Sequence, residues 1–424
     1  MQTGDVESRG RILFLTPQLP YPPEQGTAIR NYSLMRHVVS RHDVALLSFV
    51  HGEKDSVDLA PLRQLCFSLA TVPTPAWAMP SRLRTLFTTH EPDMAHRLRS
   101  PSFASALKEL VTTESPDLIQ VEGIELAPYI PMMRRWLGGA CPPVVFDDHN
   151  AEYVLQRRAL ESDLPHPRRW PAALYSLIQW RRLIRYERSA CRWADGVVVV
   201  SEADARAIGR LSPELSPLVV PNGVDVERYY PELPDSPPLR HPAVVFTGKM
   251  DFRPNVDAMV WFYDQVWPLL KAAVSDVHLY VVGKSPHARL SSLADDPDVT
   301  VTGYVVDILP YFGGADVYVV PLRVGGGTRL KVLEAMAAGL PLVSTTLGAE
   351  GISLVSGTHA LLADTPSAFA QAVRSLLRDP TKRRSLGNAA REFVLQHYDW
   401  RQIVPRLYPL YDALMVQETA SPSV

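Results

Sequence analysis

The run Gly325-Gly326-Gly327-Thr328-Arg329-Leu330-Lys331, continuing through Glu334 to Gly339, puts a glycine turn, two cations and a carboxylate at the start of one helix. The apolar run from Ala315 to Leu322 before it predicts a buried strand, so the glycines fall at a strand-to-helix turn. There, bare backbone N–H groups and the positive end of the helix dipole favour an anion, with Gly325, Gly326, Gly327 and Thr328 as its candidate lining. Arg329 and Lys331 can add charge-assisted hydrogen bonds to phosphate oxygens, and Glu334, one turn deeper, is placed to accept from a ribose diol. The set suits a nucleoside diphosphate. The plainer alternative is an amphipathic helix preceded by glycines.

A second glycine turn carries cations ahead of a helix: Gly248-Lys249-Met250-Asp251-Phe252-Arg253-Pro254-Asn255 follows the predicted strand Val244–Thr247. Lys249 and Arg253 are phosphate candidates, with Asn255 beside them, although a lone basic residue is usually a solvated surface charge. Gly283, after Val282, decorates a further strand end and would frame a base. In the first half Gly26 follows a proline-rich loop, where a glycine lets a ligand approach the backbone, and Thr27 either caps the next helix or offers its hydroxyl. Only one glycine stands where a Gly-x-Gly-x-x-Gly fingerprint needs three, which argues against a nicotinamide dehydrogenase. The strand Val144–Phe146 delivers Asp147-Asp148-His149-Asn150 at its end. His149 can contact sugar hydroxyls or handle a proton, or it fills a surface niche while Asp148 and Asn150 cap the following helix. No His-x-x-x-His pair accompanies it, so neither a zinc site nor another metal is expected.

These candidates need strand ends to carry them. Short β-rich runs alternate with longer helical patterns, which predicts parallel sheets with helical crossovers. Strands are expected at 11–15, 44–49, 118–121, 144–146, 197–200 and 218–220, then at 244–247, 277–282, 299–302, 317–320 and 342–344. The proline-rich link Pro231 to Pro242 separates the two series. The fold class is therefore α/β, with a Rossmann-like domain at 1–232 and a second at 233–397. These two doubly wound halves are expected to face across a cleft that takes ligands at the carboxyl ends of the strands. With 424 residues, 46% hydrophobic and 21% charged, the chain is long enough for two cores. A net charge of −2 supplies no field for a polynucleotide, so no nucleic acid partner is expected. Three cysteines, Cys66, Cys141 and Cys191, without Cys-x-x-Cys spacing, fit a reducing compartment.

Taken together, Pro23 to Arg30 as Pro-x-x-Gly-Thr-x-x-Arg, His149-Asn150, Ser201 to Asp204, Pro221 to Asp225, Gly248 to Met250, and Gly325 to Gly339 resemble a nucleotide-sugar glycosyltransferase of the GT-B fold, glycosyltransferase family 4. Within it the chain is most similar to bacterial sugar transferases of exopolysaccharide clusters, including those found with exosortase systems. The resemblance implies a retaining, metal-independent enzyme with a nucleoside diphosphate sugar as donor and no cofactor. It implies that the second half binds the donor, that the first binds a glycan or polyprenyl-linked acceptor and contributes Gly26 and His149, and that a helix at 398–416 crosses back to the first domain, leaving a tail at 417–424. Glu334 matches the second member of the family's glutamate pair. The first falls at Gly326, which has no carboxylate, and Lys249 and Pro254 stand near the usual Arg and Lys positions. Arg329 and Lys331 are then expected to supply the missing charge, so the catalytic set is His149, Lys249, Arg329 and Lys331.

Residues 168–193 mix arginines with Trp170, Trp180, Tyr186 and Trp193. Such a helix either lies on an anionic membrane surface with rings and arginine stems in the interface, or packs Trp180, Leu183, Ile184 and Tyr186 inward with solvated arginines. With no signal peptide or spanning segment expected, the reading is a cytoplasmic protein, peripheral on the inner face of the cell membrane if that surface is used. Two other functions share the diphosphate site: a GT-B nucleotide-sugar epimerase and a noncatalytic nucleotide-sugar-binding partner.

Overall fold

The computed structural model describes residues 9–52, 58–233 and 238–419, which form two compact α/β units. In the first, β1 (Arg11–Thr16), β2 (Asp43–Val50), β3 (Ser68–Pro73), β4 (Leu118–Glu122), β5 (Val144–Asp148), β6 (Gly196–Val199) and β7 (Leu218–Val219) make one sheet. Its order is β3-β2-β1-β4-β5-β6-β7, every pair parallel. β4 and β5 are buried along their whole length and β1 and β2 at every residue but the first, so both faces are covered, as a continuous apolar run requires.

The second sheet contains β8 (Ala243–Thr247), β9 (His278–Val282), β10 (Val299–Val301), β11 (Val317–Val320), β12 (Leu342–Ser344) and β13 (Leu361–Leu362). Its order is β10-β9-β8-β11-β12-β13, again parallel throughout. In each sheet the strand order reverses beside the first strand of its series: at β1 and β4 in one, at β8 and β11 in the other. The carboxyl ends of those pairs are where an open parallel sheet takes a ligand.

The boundary between units falls at Pro221–Asn222, earlier than the expected cut at 232/233. Residues 222–233 already belong to the second core: Val224 N–H donates to Tyr398 O at 2.8 Å, Arg391 Nη1 donates to Tyr229 O at 3.0 Å, and Leu233 is buried. Part of the expected proline-rich connector, 234–237, lies outside the described residues, as does the end of the tail, 420–424. At the other terminus the chain returns to the first unit from Val404 rather than 398. Its helix Tyr408–Thr419 buries Tyr411 and sets Leu410 and Leu414 against Gly196, with Arg41 paired to Asp412 at 2.8 Å.

Candidate active site

At the β8/β11 switch point, the helix Leu330–Ala337 follows β11 and sends Lys331 across to the end of β8. Its Nζ donates to Thr247 O at 2.7 Å and Asn255 Oδ1 at 2.9 Å, and lies 4.1 Å from the Phe246 ring centroid. Asn255 is oriented for this because its Nδ2 donates to Lys249 O at 2.9 Å. Burial pushes the Lys331 ammonium down to about 7; Glu334, on the same helix face, opposes this and Arg329 adds to it. The Glu334 carboxyl is pushed up, first by burial, against a hydrogen bond from the Tyr229 hydroxyl and the Lys331 charge. Gly248 and Gly283 leave the space: a Cβ on Gly248 would lie 2.7 Å from Asn255 Nδ2 and 2.8 Å from Lys331 Nζ, and one on Gly283 would lie 1.8 Å from Gly248 O.

The other expected donor-site residues sit around this corner with different tasks. Arg329 is only 9% exposed and Nη1 donates to Gly326 O at 2.7 Å. It therefore braces the Gly325–Gly327 loop, where a Cβ on Gly325 would lie 3.3 Å from both Nη1 and Nη2. Thr328 Oγ1 is buried without a hydrogen-bond partner. Lys249 Nζ, half exposed, pairs with Asp251 at 3.4 Å, and its carbonyl serves the cluster. Arg253 is exposed at the first position of the helix Arg253–Trp261.

In the first unit the β1/β4 switch point opens on a pocket of about 360 Å³, lined by Thr27, Glu125, His149, Asn150 and Glu152 among others. Gly26 and Thr27 begin the helix Gly26–Val38 after β1; Gln25 takes the cap position, so Thr27 is not the cap and its side chain borders the pocket. His149 directly follows β5, with Nε2 at 2.7 Å from Glu122 Oε2 at the end of β4. Burial lowers its proton affinity, but the Glu122 hydrogen bond and the Asp147 charge outweigh that, so its pKa is raised. Asp147 is locked by Arg30, Nη2 to Oδ2 at 2.7 Å with both side chains buried, and Arg30 Nη1 also donates to Val220 O at 3.0 Å. Ligand atoms of Glu122, Asp147 and His149 lie within 4.8 Å of one another; Arg30 bonds Asp147 Oδ2 and His149 bonds Glu122 Oε2, while Asp147 Oδ1 is buried without a hydrogen-bond partner.

Residues 25–228 match the Glycosyltransferase Family 4 model and residues 241–379 the Glycosyl transferases group 1 model. The chain belongs to glycosyltransferase family 4. It is 25% identical over 336 residues to a GDP-mannose-dependent alpha-(1-6)-phosphatidylinositol monomannoside mannosyltransferase of Mycolicibacterium smegmatis, covering 74% of this chain and 81% of the relative. An alpha-maltose-1-phosphate synthase of the same organism is 26% identical over 334 residues, 71% of this chain and 83% of that one. Among solved structures, sucrose-phosphate synthase from Thermosynechococcus elongatus superposes with a TM-score of 0.71 at 18% identity, over 96% of this chain and 100% of that one. Anabaena Alr3699/HepE in complex with UDP gives 0.66 at 16% identity, over 95% and 100%. The fold is thus GT-B, two Rossmann-like domains, and the activity is glycosyl transfer.

Several groups that build the glycosyltransferase's site halves carry no local sequence signal. Glu187, in the middle of the helix Trp170–Trp193, accepts from Glu152 N at 2.7 Å and Tyr153 N at 3.0 Å. It thus caps the helix after His149, the task expected of Asp148 and Asn150. Asp148 instead faces Glu187, and burial followed by that neighbouring charge pushes its carboxyl well up. Glu152, on the pocket wall, is raised to about 8 by burial and then by Glu125 and Glu187. Asp204, bonded to Ser201 within its own motif, accepts from Ala151 N at 3.0 Å and joins that motif to the His149 turn.

Proposed function

We propose that the protein is a metal-independent, retaining glycosyltransferase that moves a sugar from a nucleoside diphosphate sugar to a glycan or lipid-linked acceptor in bacterial surface or exopolysaccharide synthesis. The observation that carries this reading is Lys331, a partly buried cation brought from the helix after β11 to the end of β8. Its two protein acceptors leave one of three ammonium protons for a ligand, beside glycine backbone that a diphosphate can approach. As the glycosidic bond breaks, negative charge builds on the leaving diphosphate, and a fixed ammonium with loop amides stabilises it without reorganisation. Glu334 and Tyr229 lie beside Lys331 in position to take a ribose diol. The acceptor hydroxyl then attacks from the leaving-group side, and the departing phosphate takes its proton. The named mannosyl- and glucosyl-type relatives support a hexosyl donor.

Contact with an anionic membrane surface belongs to the same reading, narrowed to one end of the 168–193 segment. Trp180 is partly buried and Leu183 and Tyr186 are buried, so the inward-packing alternative holds for the later turns. Leu164, Trp170 and Leu174 are 53%, 60% and 59% exposed beside Arg168 and Arg169. No helix among the described residues is long and apolar enough to cross a membrane.

The deciding experiment is a thermal-shift panel of nucleoside diphosphates and their sugars, followed by turnover with the sugar nucleotide that binds. A saturating ligand at a hundred times its Kd should stabilise the fold by about 2.7 kcal/mol. Lys331→Ala and Arg329→Ala should each lose about 10²-fold in turnover, and product NMR should show the donor's anomeric configuration kept. Isomerised sugar with no transfer would point to an epimerase, binding without turnover to a noncatalytic partner, and inversion or metal dependence would remove the mechanism.

A further inference from the structure

The groups that hold His149 form a chain reaching the far end of the sequence. Tyr411 Oη, on the helix Tyr408–Thr419, donates to Gln120 Oε1 at 2.8 Å. Gln120 Nε2 donates to Glu122 Oε1 at 2.9 Å, and Glu122 Oε2 takes the proton of His149 Nε2 at 2.7 Å. Tyr411, Gln120 and Glu122 are all fully buried. The carboxylate fixes the direction of the chain: turning the Gln120 amide over would set its oxygen against Glu122 Oε1, acceptor against acceptor. With its amide nitrogen turned toward the carboxylate, Asn31 gives Glu122 Oε2 a second donor at 2.9 Å and holds the Thr27 carbonyl at 3.3 Å. Glu122 thus accepts three hydrogen bonds, from Gln120, Asn31 and His149.

With Nε2 committed, Nδ1 is the ring nitrogen left for the pocket that His149 lines. Its role depends on the charge of the ring, because Nδ1 accepts in the neutral form and donates in the imidazolium. The charged groups facing the ring are Glu122 from β4, Asp147 from its own strand and Arg30 from the helix Gly26–Val38. Two carboxylates against one guanidinium leave a place for one more positive charge. We infer that Glu122 is a positioning residue which, through the relay to Tyr411, fixes the His149 ring with Nδ1–H toward the pocket as a hydrogen-bond donor to a substrate oxygen. This rests on the proposed transferase reading for the identity of the substrate, but not for the state of the ring.

The test is an ¹⁵N-histidine NMR titration of the full chain as wild type, Glu122→Gln and Tyr411→Phe, beside the pH dependence of kcat. In wild type, activity that needs the imidazolium falls as pH rises through the His149 pKa. In Glu122→Gln the ring should lose at least about tenfold in proton affinity, the falling limb should move to lower pH, and kcat at neutral pH should drop roughly 10- to 100-fold, the rate equivalent of one hydrogen bond to a charged group. Tyr411→Phe, two links away and without contact to the ring, should move the same limb in the same direction by less. It carries the test if Glu122→Gln does not fold. An unchanged His149 titration in the folded variants, or a rate loss with the pH limb in place, overturns the inference. If wild type turns over no sugar nucleotide the transferase reading falls, and the titration alone still decides the relay.

Discussion

Replacing Lys331 with Met removes a charge from a stem of similar length, and the consequence can be worked from the geometry. The ammonium is held by Thr247 O and Asn255 Oδ1 and pushed by burial from its ordinary 10.5 to about 7. At about 1.4 kcal/mol for each tenfold change in proton affinity, keeping it charged costs the ligand-free fold at most about 5 kcal/mol below pH 7, and partial solvent access reduces that to roughly 2–3 kcal/mol. A diphosphate oxygen bonded to Nζ recovers this cost, so the bound lysine stays charged where the free one does not. Binding therefore takes up close to one proton above about pH 7, and affinity falls as pH rises through that value, by up to about tenfold per pH unit. The sign for stability is opposite. Between about 7 and 10.5 the unfolded lysine holds a proton that the folded one has released, so the ligand-free fold gains stability as pH rises across that window, and Lys331→Met lacks this slope. Calorimetry with a nucleoside diphosphate in buffers of different ionisation heat should count about one proton for wild type near pH 8 and none for the variant. Near pH 6 the variant should bind roughly 10- to 100-fold more weakly, the worth of one charge-assisted hydrogen bond. Wild-type binding without proton uptake, or normal binding by Lys331→Met, would refute the reasoning.

Arg30→Met strips the guanidinium that holds the buried carboxylate of Asp147, which should cost about 3–5 kcal/mol of stability in urea unfolding. Burial and Glu122 already push Asp147 up to about 6, and losing Arg30 raises it further. Protonation relieves the stranded charge at low pH, so the loss should be larger near pH 8 than near pH 5; a cost below about 1 kcal/mol, or no pH trend, would contradict the pairing. On the first unit, Trp170→Ser with Leu174→Ser should abolish flotation with anionic vesicles while leaving the melting temperature within about a degree, since both side chains are mostly exposed. Wild type that floats with neither anionic nor neutral vesicles would end the membrane proposal.

Most of the fold was legible because strands covered on both faces read as apolar runs, as β1, β2, β4 and β8 do. β3 was not: Ser68–Pro73 is an edge strand, partly exposed along most of its length and ending in proline, and β13 is two residues long. The site was legible in residue type but not in partnership. Glycine turns, His149, Lys331 and Glu334 stand out as candidates through residue type and local spacing. That Lys331 meets Asn255, that His149 meets Glu122 and that Arg30 meets Asp147 depends on β8 lying beside β11, β4 beside β5 and β1 beside β4, and spacing carries no such order. The same limit explains Arg329 and Lys249: charge and position in a motif were evident, while the turn of Arg329 onto Gly326 and of Lys249 onto Asp251 is set by how each loop closes.

The two switch points differ in charge balance, and the difference bears on which ligand each takes. Around His149 two carboxylates, Glu122 and Asp147, are met by Arg30 and the imidazolium, so the set is neutral once the ring is protonated. Around Lys331, Arg329 is a second cation and Glu334 the carboxylate, and Glu334 is faced in turn by Arg228. A neutral, hydrogen-bonding wall suits hydroxyls, whose approach changes no charge. An excess cation in a partly desolvated corner is costly until an anion arrives, and a diphosphate is an anion whose remaining charge can spread over the Gly325–Gly327 amides. A carboxylate in place of Gly326 would offset part of the positive charge of this corner and so weaken its attraction for an anion.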